Sequence, residues 1–174
     1  MEEAIYNIRM AAPEDLEQIR TNIRRTMANP DGKTLRKGLA DAMERREMLV
    51  LERVSPREKT GKVSAFIEWR TRVDGPITIR DIGTAGDEPN EGMAKRLVRE
   101  LLRIAAPPEA HLKIRADLEA WNNIFDDLPG FQLEGREYSR PHWKTVWKWT
   151  PEAERRERPR ERLPRGQMPR GMRR

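Results

Sequence analysis

Cysteine is absent from the 174-residue chain, which excludes disulfides, thiolate nucleophiles and thiolate metal sites. Histidine is scarce: His111 and His142 are the only two, with no metal-ligand spacing between them, so no metal is expected. Phenols are limited to Tyr6 and Tyr138. No apolar run approaches the roughly 20 residues that a membrane span needs. The first residues, MEEAIYN, are acidic where a secretory leader is basic and then apolar. The expected location is cytoplasmic, without a membrane partner.

Charge is abundant but unevenly placed. From Thr150 onward the chain holds nine Arg against four Glu, which is five of the six net positive charges. Four prolines, two glycines and a single Leu give that segment little to bury. It reads as a basic tail, residues 150–174, that is either solvated and disordered or held by a polyanionic partner. Residues 1–149 are long enough for one ordinary core.

Within that span apolar periodicity outlines the elements. IYNIRM at 5–10 alternates as a strand. Pro13, Glu14 and Asp15 open a helix whose apolar face is Leu16, Ile19, Ile23 and Met27, and a second helix carries Leu35, Leu39, Ala42 and Met43. EMLVLERV, VSAFIEWRTRV and ITIRDIG follow as three antiparallel strands joined by turn chemistry. GTAGDEPNEGMAKRLVRELLRIA, residues 83–105, passes from a glycine loop into a helix with Leu97, Leu101 and Ile104 on one stripe. A strand at HLKIRADL, a short helix at EAWNNIFDDL and two strands, FQLEGREY and HWKTVWKW, complete the order. The fold class is α+β, with a mainly antiparallel sheet and one crossover helix.

A strand that enters a helix through small residues leaves unpaired backbone N–H groups at the positive end of the helix dipole, a place that suits a phosphate. Gly83, Ala85, Gly86 and Gly92 permit close approach, Asn90 is placed to cap the helix, and Lys95 and Arg96 add charge. A plain turn with an Asn cap explains the same residues.

The order of elements resembles the GNAT superfamily, the acetyl-CoA-dependent N-acetyltransferases, over about residues 5–149. IRMAAPEDLEQI is similar to that family's first strand and helix, MLVLERV to KVSAFIEW to its hairpin, and LPGFQLEGREY to its closing turn and strand. PNEGMA at 89–94 stands where the family carries R/Q-x-x-G-x-G/A, with Gly92 and Ala94 matching. The resemblance implies acetyl-CoA as cofactor, with the amides of Asn90, Glu91, Gly92, Met93 and Ala94 on its phosphates, Gly83, Thr84 and Lys95 beside them, and the pantetheine arm between splayed central strands. Two positions depart from the pattern. Pro89 replaces the family's Arg or Gln, and Phe125 and Asp126 stand where the family often has a Tyr.

For transfer to an amine, the candidate bases are Glu68 and Asp81 on adjacent strands, acting directly or through water, and Tyr138 is the fallback acid. As ordinary strand carboxylates the two acids would instead face solvent or pair with Arg70 and Arg80. Asn122 and Asn123 are similar to an Asn found near this point in the family, although capping explains them too. Trp143, Thr145, Trp147 and Trp149 share one strand face and Lys144, Val146 and Lys148 the other, as core or as a nucleic-acid-contacting edge.

Two functions stay open: an N-acetyltransferase of GNAT type acting on an unidentified amine, or a catalytically silent GNAT-fold adaptor. The adaptor's residues 151–174 would dock on nucleic acid, a ribonucleoprotein or another acidic complex.

Overall fold

A computed structural model of the chain describes residues 5–32, 38–57 and 61–157. Alternation of apolar and polar residues yields strands where expected: β1 (Ile5–Met10), β2 (Met48–Val54), β3 (Lys62–Thr71), β4 (Ile77–Thr84), β5 (Ala110–Arg115), β6 (Phe131–Ser139) and β7 (His142–Trp149). They form one seven-stranded sheet in the order β1-β2-β3-β4-β5-β7-β6. Only β4 and β5 run parallel; they are connected by the crossover helix α3 (Glu91–Ala105). The expected mixed, mainly antiparallel sheet flanked by helices is therefore present.

Side chains divide between two faces. Leu49, Leu51, Ala65, Ile67, Trp69, Ile77, Ile79 and Ile82 join Ala94, Leu97, Val98 and Leu101 of α3 in one buried cluster. Trp121, Ile124 and Phe125 of α4 (Glu119–Asp127) extend it over Leu112, Ile114, Trp147 and Trp149. On the opposite face Met48, Val50, Val63 and Phe66 pack with Ile19 and Ile23 from the first helical region and with Leu39, Ala42 and Met43 of α2 (Gly38–Glu44). The separation follows from the period-two geometry of strands.

The first helix is shorter than its apolar spacing suggests. α1 spans Asp15–Asn22, and Ile23 is already extended at φ −121°, ψ 98°. Ile23 stays in the α1-side cluster while Met27 joins the α3-side cluster, so the four-residue spacing connects two surfaces instead of one helix face. Pairing with β4 overrides the helical pattern: Thr26 bridges Gly83, and the Met27 amide donates to the Ile82 carbonyl at 2.8 Å. Leu35 lies outside the described residues.

The segment read as tail begins with structure. α5 (Pro151–Glu157) has Ala153 buried, the Ala153 amide bonded to Thr150 Oγ1 at 3.2 Å, and Glu157 accepting the Gly130 amide at 2.8 Å. Pro151 at its first position and Thr150 as its cap are the signal for this helix. Residues beyond Glu157 lie outside the described residues. No helix among the described residues is long and apolar enough to cross a membrane.

Candidate active site

β4 and β5 are paired only at Ile77–Ala110 and Thr78–His111, the start of both strands. The cause lies two residues further on, at Arg80. Glu68 faces Asp81 while Trp69 faces Ile79, so Arg80 is an extra residue on β4. A bulge of this kind bends its strand, and here it bends β4 away from β5. It also changes which way the strand faces. Ile77 and Ile79 point into the α3-side core, whereas Asp81, opposite Glu68, points to the α1–α2 side.

The gap is partly refilled by the chain itself. β3 occupies one edge of β4 along Ile82–Thr84, so the Thr26–Gly83 bridge and the Met27–Ile82 hydrogen bond fall on the other edge, the one β5 has left. The Ala28 amide donates to Asp81 Oδ1 at 2.8 Å. Residues 26–31 thus form a strap across the divergence, with a cavity on either side of it.

The smaller cavity, about 240 Å³, lies between Thr84, the loop Gly86–Pro89 and the start of α4 at Leu118–Trp121, with Arg25, Thr26 and Pro30 of the strap region as the remaining wall. It adjoins the N-terminus of α3. Asn90 caps that helix, its Oδ1 accepting the Met93 amide at 3.0 Å, as expected for a cap. The Asn90 amide itself donates to Thr84 Oγ1 at 2.9 Å, and the Ala94 amide to the Asn90 carbonyl at 3.0 Å. Of the five amides that the motif aligns with phosphates, those of Glu91 and Gly92 have no protein acceptor among the described residues. A Cβ on Gly92 would meet nothing nearer than Asn90 Oδ1 at 3.6 Å, so this corner is open. Gly86, at φ +102° with open space around it, turns the loop in a conformation natural to glycine.

Gly83 serves packing. A Cβ there would lie 2.6 Å from Phe66 Cε1 and 2.7 Å from Ile23 Cγ2. Lys95 is drawn to Glu91 and to Asp127 at 3.4 Å, and the Glu91 hydrogen bond raises its pKa. Asp87, Glu88, Asp117 and Glu119 line the small cavity against a single cation, Arg25.

The second cavity, about 800 Å³, lies on the α1–α2 face. Its floor is Thr78, Ile79 and Arg80 of β4, His111, Leu112, Lys113 and Arg115 of β5 and Lys144 and Val146 of β7; strap residues Met27–Asp31 and the turn Ser139–His142 form its rim. Pro30 lines both cavities.

Of the three predicted catalytic residues, Glu68 and Asp81 are brought together and Tyr138 lies apart. Glu68 and Asp81 stand opposite each other and are buried, at 7% and 0% exposure. They do not face solvent, which was one of the two outcomes expected of ordinary strand carboxylates, and neither lines either cavity. Tyr138 is 55% exposed on the outer strand β6, its ring 5.3 Å from that of Trp143. It pairs directly with Trp143, which shares the face of the buried Trp147 and Trp149. Tyr138 is therefore on the opposite side of the sheet from Asp81. The core reading holds for Trp147 and Trp149, which are buried, and not for Trp143, which is exposed.

Asn122 closes the join between β5, α4 and β7. Its Nδ2 donates to the Arg115 and Leu118 carbonyls at 3.1 and 2.9 Å, and its Oδ1 accepts from Trp147 Nε1 at 3.1 Å and meets the Thr145 hydroxyl. Asn123 is exposed.

Two residues outside the sequence-based candidates do line the larger cavity: His111 and His142. His111 Nε2 lies 2.9 Å from Glu109 Oε2, and this contact holds the Glu109 carboxyl below its usual range. The Glu109-x-His111 spacing at the entry to β5 was the available signal.

The sequence matches no protein-family model and no curated protein. Solved structures do match. The ribosomal-protein-S18-alanine N-acetyltransferase from Escherichia coli aligns with a TM-score of 0.65 at 18% identity, covering 84% of this chain and 94% of its own. A GNAT-family acetyltransferase from Bacillus cereus aligns at 0.63 with 14% identity, covering 84% and 97%. A putative acetyltransferase from Salmonella typhimurium, solved with its cofactor acetyl-CoA, aligns at 0.61 with 15% identity, covering 84% and 94%. Strand order, the lone parallel pair and these alignments agree: the chain has the fold of the GNAT acetyltransferases.

Proposed function

We propose that this protein is a GNAT-type N-acetyltransferase that moves an acetyl group from acetyl-CoA to an amine bound in the larger cavity. The observation that carries this reading is the divergence of β4 and β5 after Thr78 and His111, with a cavity on each side of the strap. A donor entering beside α3 and an acceptor entering beside β7 would meet there.

The α3 N-terminus offers the Glu91 and Gly92 amides to a diphosphate, with Arg96 in the same first turns. The cofactor would supply an activated thioester. What this chain adds is position and a proton acceptor. His111, steadied by Glu109, is the base that fits the geometry, because its ring lines the acceptor cavity. Asp81 is a positioning residue that fastens the strap through Ala28, and Glu68 lies beside it. Tyr138 has no part in this arrangement.

Thermal unfolding across an acetyl-CoA titration tests the reading. Linkage predicts a rising midpoint, equivalent to about 2.7 kcal/mol at a hundredfold excess over Kd. Gly92→Glu fills the open corner with a side chain and a like charge and should abolish the shift. No shift for the wild-type protein at millimolar acetyl-CoA would remove the proposal.

A second reading is favoured by specific observations: Pro89, the Asn90 cap and the Thr84 contact that engage three cradle amides, and the four carboxylates around the small cavity. On this view the protein is a silent GNAT-fold adaptor whose basic segment holds a nucleic acid or an acidic complex. Binding should then fall steeply with salt and vanish on removal of residues 158–174, a truncation that leaves α5 in place.

A further inference from the structure

We infer that the larger cavity is an anion-binding site, made to take a small molecule bearing a phosphate or carboxylate. On the acetyltransferase reading that molecule is the acceptor amine; its anionic character rests on the cavity alone.

The charge argument is local. Arg72, Arg80, Lys113, Arg115, Arg140 and Lys144 line this cavity, and Asp31 is the sole carboxylate among its lining residues. Partners temper two of the cations: Lys113 pairs with Glu137 at 2.6 Å and Arg115 with Asp117 at 2.6 Å. Arg72, Arg80, Arg140 and Lys144 have no ion-pair partner among the described residues. They come from the end of β3, the bulge of β4, the β6–β7 turn and β7, so four separate segments bring like charges to one concavity. An ordinary solvated surface intersperses the two signs; a concave site lined by one sign raises the local concentration of the opposite ion. The neighbouring small cavity has the reverse balance, so the positive field belongs to this cavity and is not a general property of the domain, whose net charge outside the basic segment is close to zero.

Shape and composition select the class of ligand. A cavity of about 800 Å³ is within the ordinary range for small-molecule sites, roughly 300–1,000 Å³. Guanidinium groups match phosphate and carboxylate oxygens with paired donors. Single-stranded nucleic acid would also want aromatic platforms beside the cations. The exposed pair that could supply one, Tyr138 and Trp143, is on the opposite face of the sheet, as the alternation of Trp143 with Lys144 requires. No Phe, Tyr or Trp lines the cavity, which offers six cations and only two imidazoles, His111 and His142, as flat surfaces.

Nuclear magnetic resonance on the full chain, with inorganic pyrophosphate as probe and CoA saturating where it binds, tests this directly. Pyrophosphate should shift the amides of Thr78, Arg80, His111 and Lys113, and raising the salt should weaken it. Arg80→Gln with Lys144→Gln should weaken binding at least tenfold, and Arg140→Gln is a second, surface-exposed variant should the double one fold poorly. Spermidine should leave these amides unmoved. The inference is overturned if pyrophosphate fails to bind at 10-millimolar order, shifts only residues 90–94, binds the variants as well as the wild type, or if spermidine occupies the same amides. Should CoA fail to bind while pyrophosphate moves the cavity amides, the anion site stands and the acetyltransferase reading falls.

Discussion

Asp81 Oδ1 accepts the Ala28 amide at 2.8 Å, from a carboxyl that is wholly buried. The residue that sequence spacing suggests as a base is therefore the fastening of the strap. Asp81→Asn keeps an acceptor oxygen in place and should leave stability and acetyl transfer near wild type. Asp81→Ala strands the amide and should cost about 1–3 kcal/mol in chemical denaturation. Loss of activity in Asp81→Asn with unchanged stability would show that the charge itself is needed and would restore Asp81 as a base.

On the acetyltransferase reading, the strap and the cofactor arm would compete for one edge of β4. The Ile82 carbonyl already holds the Met27 amide, and an extended ligand lying along that edge would take its place. Hydrogen exchange should therefore quicken at Met27 and Ala28 when acetyl-CoA saturates the protein. Unchanged or slower exchange there would show that the ligand leaves the strap in position.

Carboxylates at the start of α3 would oppose an anionic cofactor placed there. Glu88 lines the small cavity and Glu91 opens α3. The double variant Glu88→Gln, Glu91→Gln should bind CoA several-fold more tightly at low salt, with the gain shrinking as salt rises. Calorimetry that found weaker binding would point to a supporting role for these acids.

Asn122 holds three elements with one side chain. Asn122→Ala leaves the buried Trp147 Nε1 without its acceptor, while the Arg115 and Leu118 carbonyls keep the backbone amides of Leu118 and Asn122, a loss of about 1–3 kcal/mol. Urea unfolding gives the value, and a change under 0.5 kcal/mol would refute this role.

Arg9 grips Asp15 through two hydrogen bonds, at 2.7 and 2.8 Å, and the Ala12 amide adds a third at 2.7 Å. The Arg9 hydrogen bond is the main reason the Asp15 carboxyl titrates below its ordinary 3.8. A depressed carboxyl stabilises the fold above its unfolded pKa and loses that contribution as pH falls through the folded value. Asp15→Asn should thus be less stable than wild type at pH 7 by about 1.5–3 kcal/mol. The two curves should converge below about pH 4; a constant gap down to pH 2 would contradict the assignment.

Most of the architecture was legible because each element carries its own period: β2 through β4 read as strands, and the Leu97–Leu101 stripe as a helix on a sheet. Ile23 and Met27 misled because helical spacing cannot reveal that two apolar residues serve different faces. The α5 helix was missed for another reason. Composition outweighed the local Thr150–Pro151 cap, although the cap was present in the sequence. The glycine loop was found, but spacing could not show that Thr84 and Asn90 engage its amides. The cationic cavity was out of reach altogether, since Arg72, Arg80, Arg140 and Lys144 meet only through strand order.

One inserted residue accounts for the hollow at the centre of this molecule. Opposite β3, the strand would be regular if Arg80 were absent: Ile79 and Asp81 would simply follow each other, with both cores undisturbed. Straightened, β4 could continue its ladder with β5 beyond Thr78, and the sheet would gain hydrogen bonds as the space between the strands closed. Shortening the chain there by a single residue should give a tighter sheet with less room for a guest, so the capacity to hold a ligand and the regularity of the sheet are set against each other at one position.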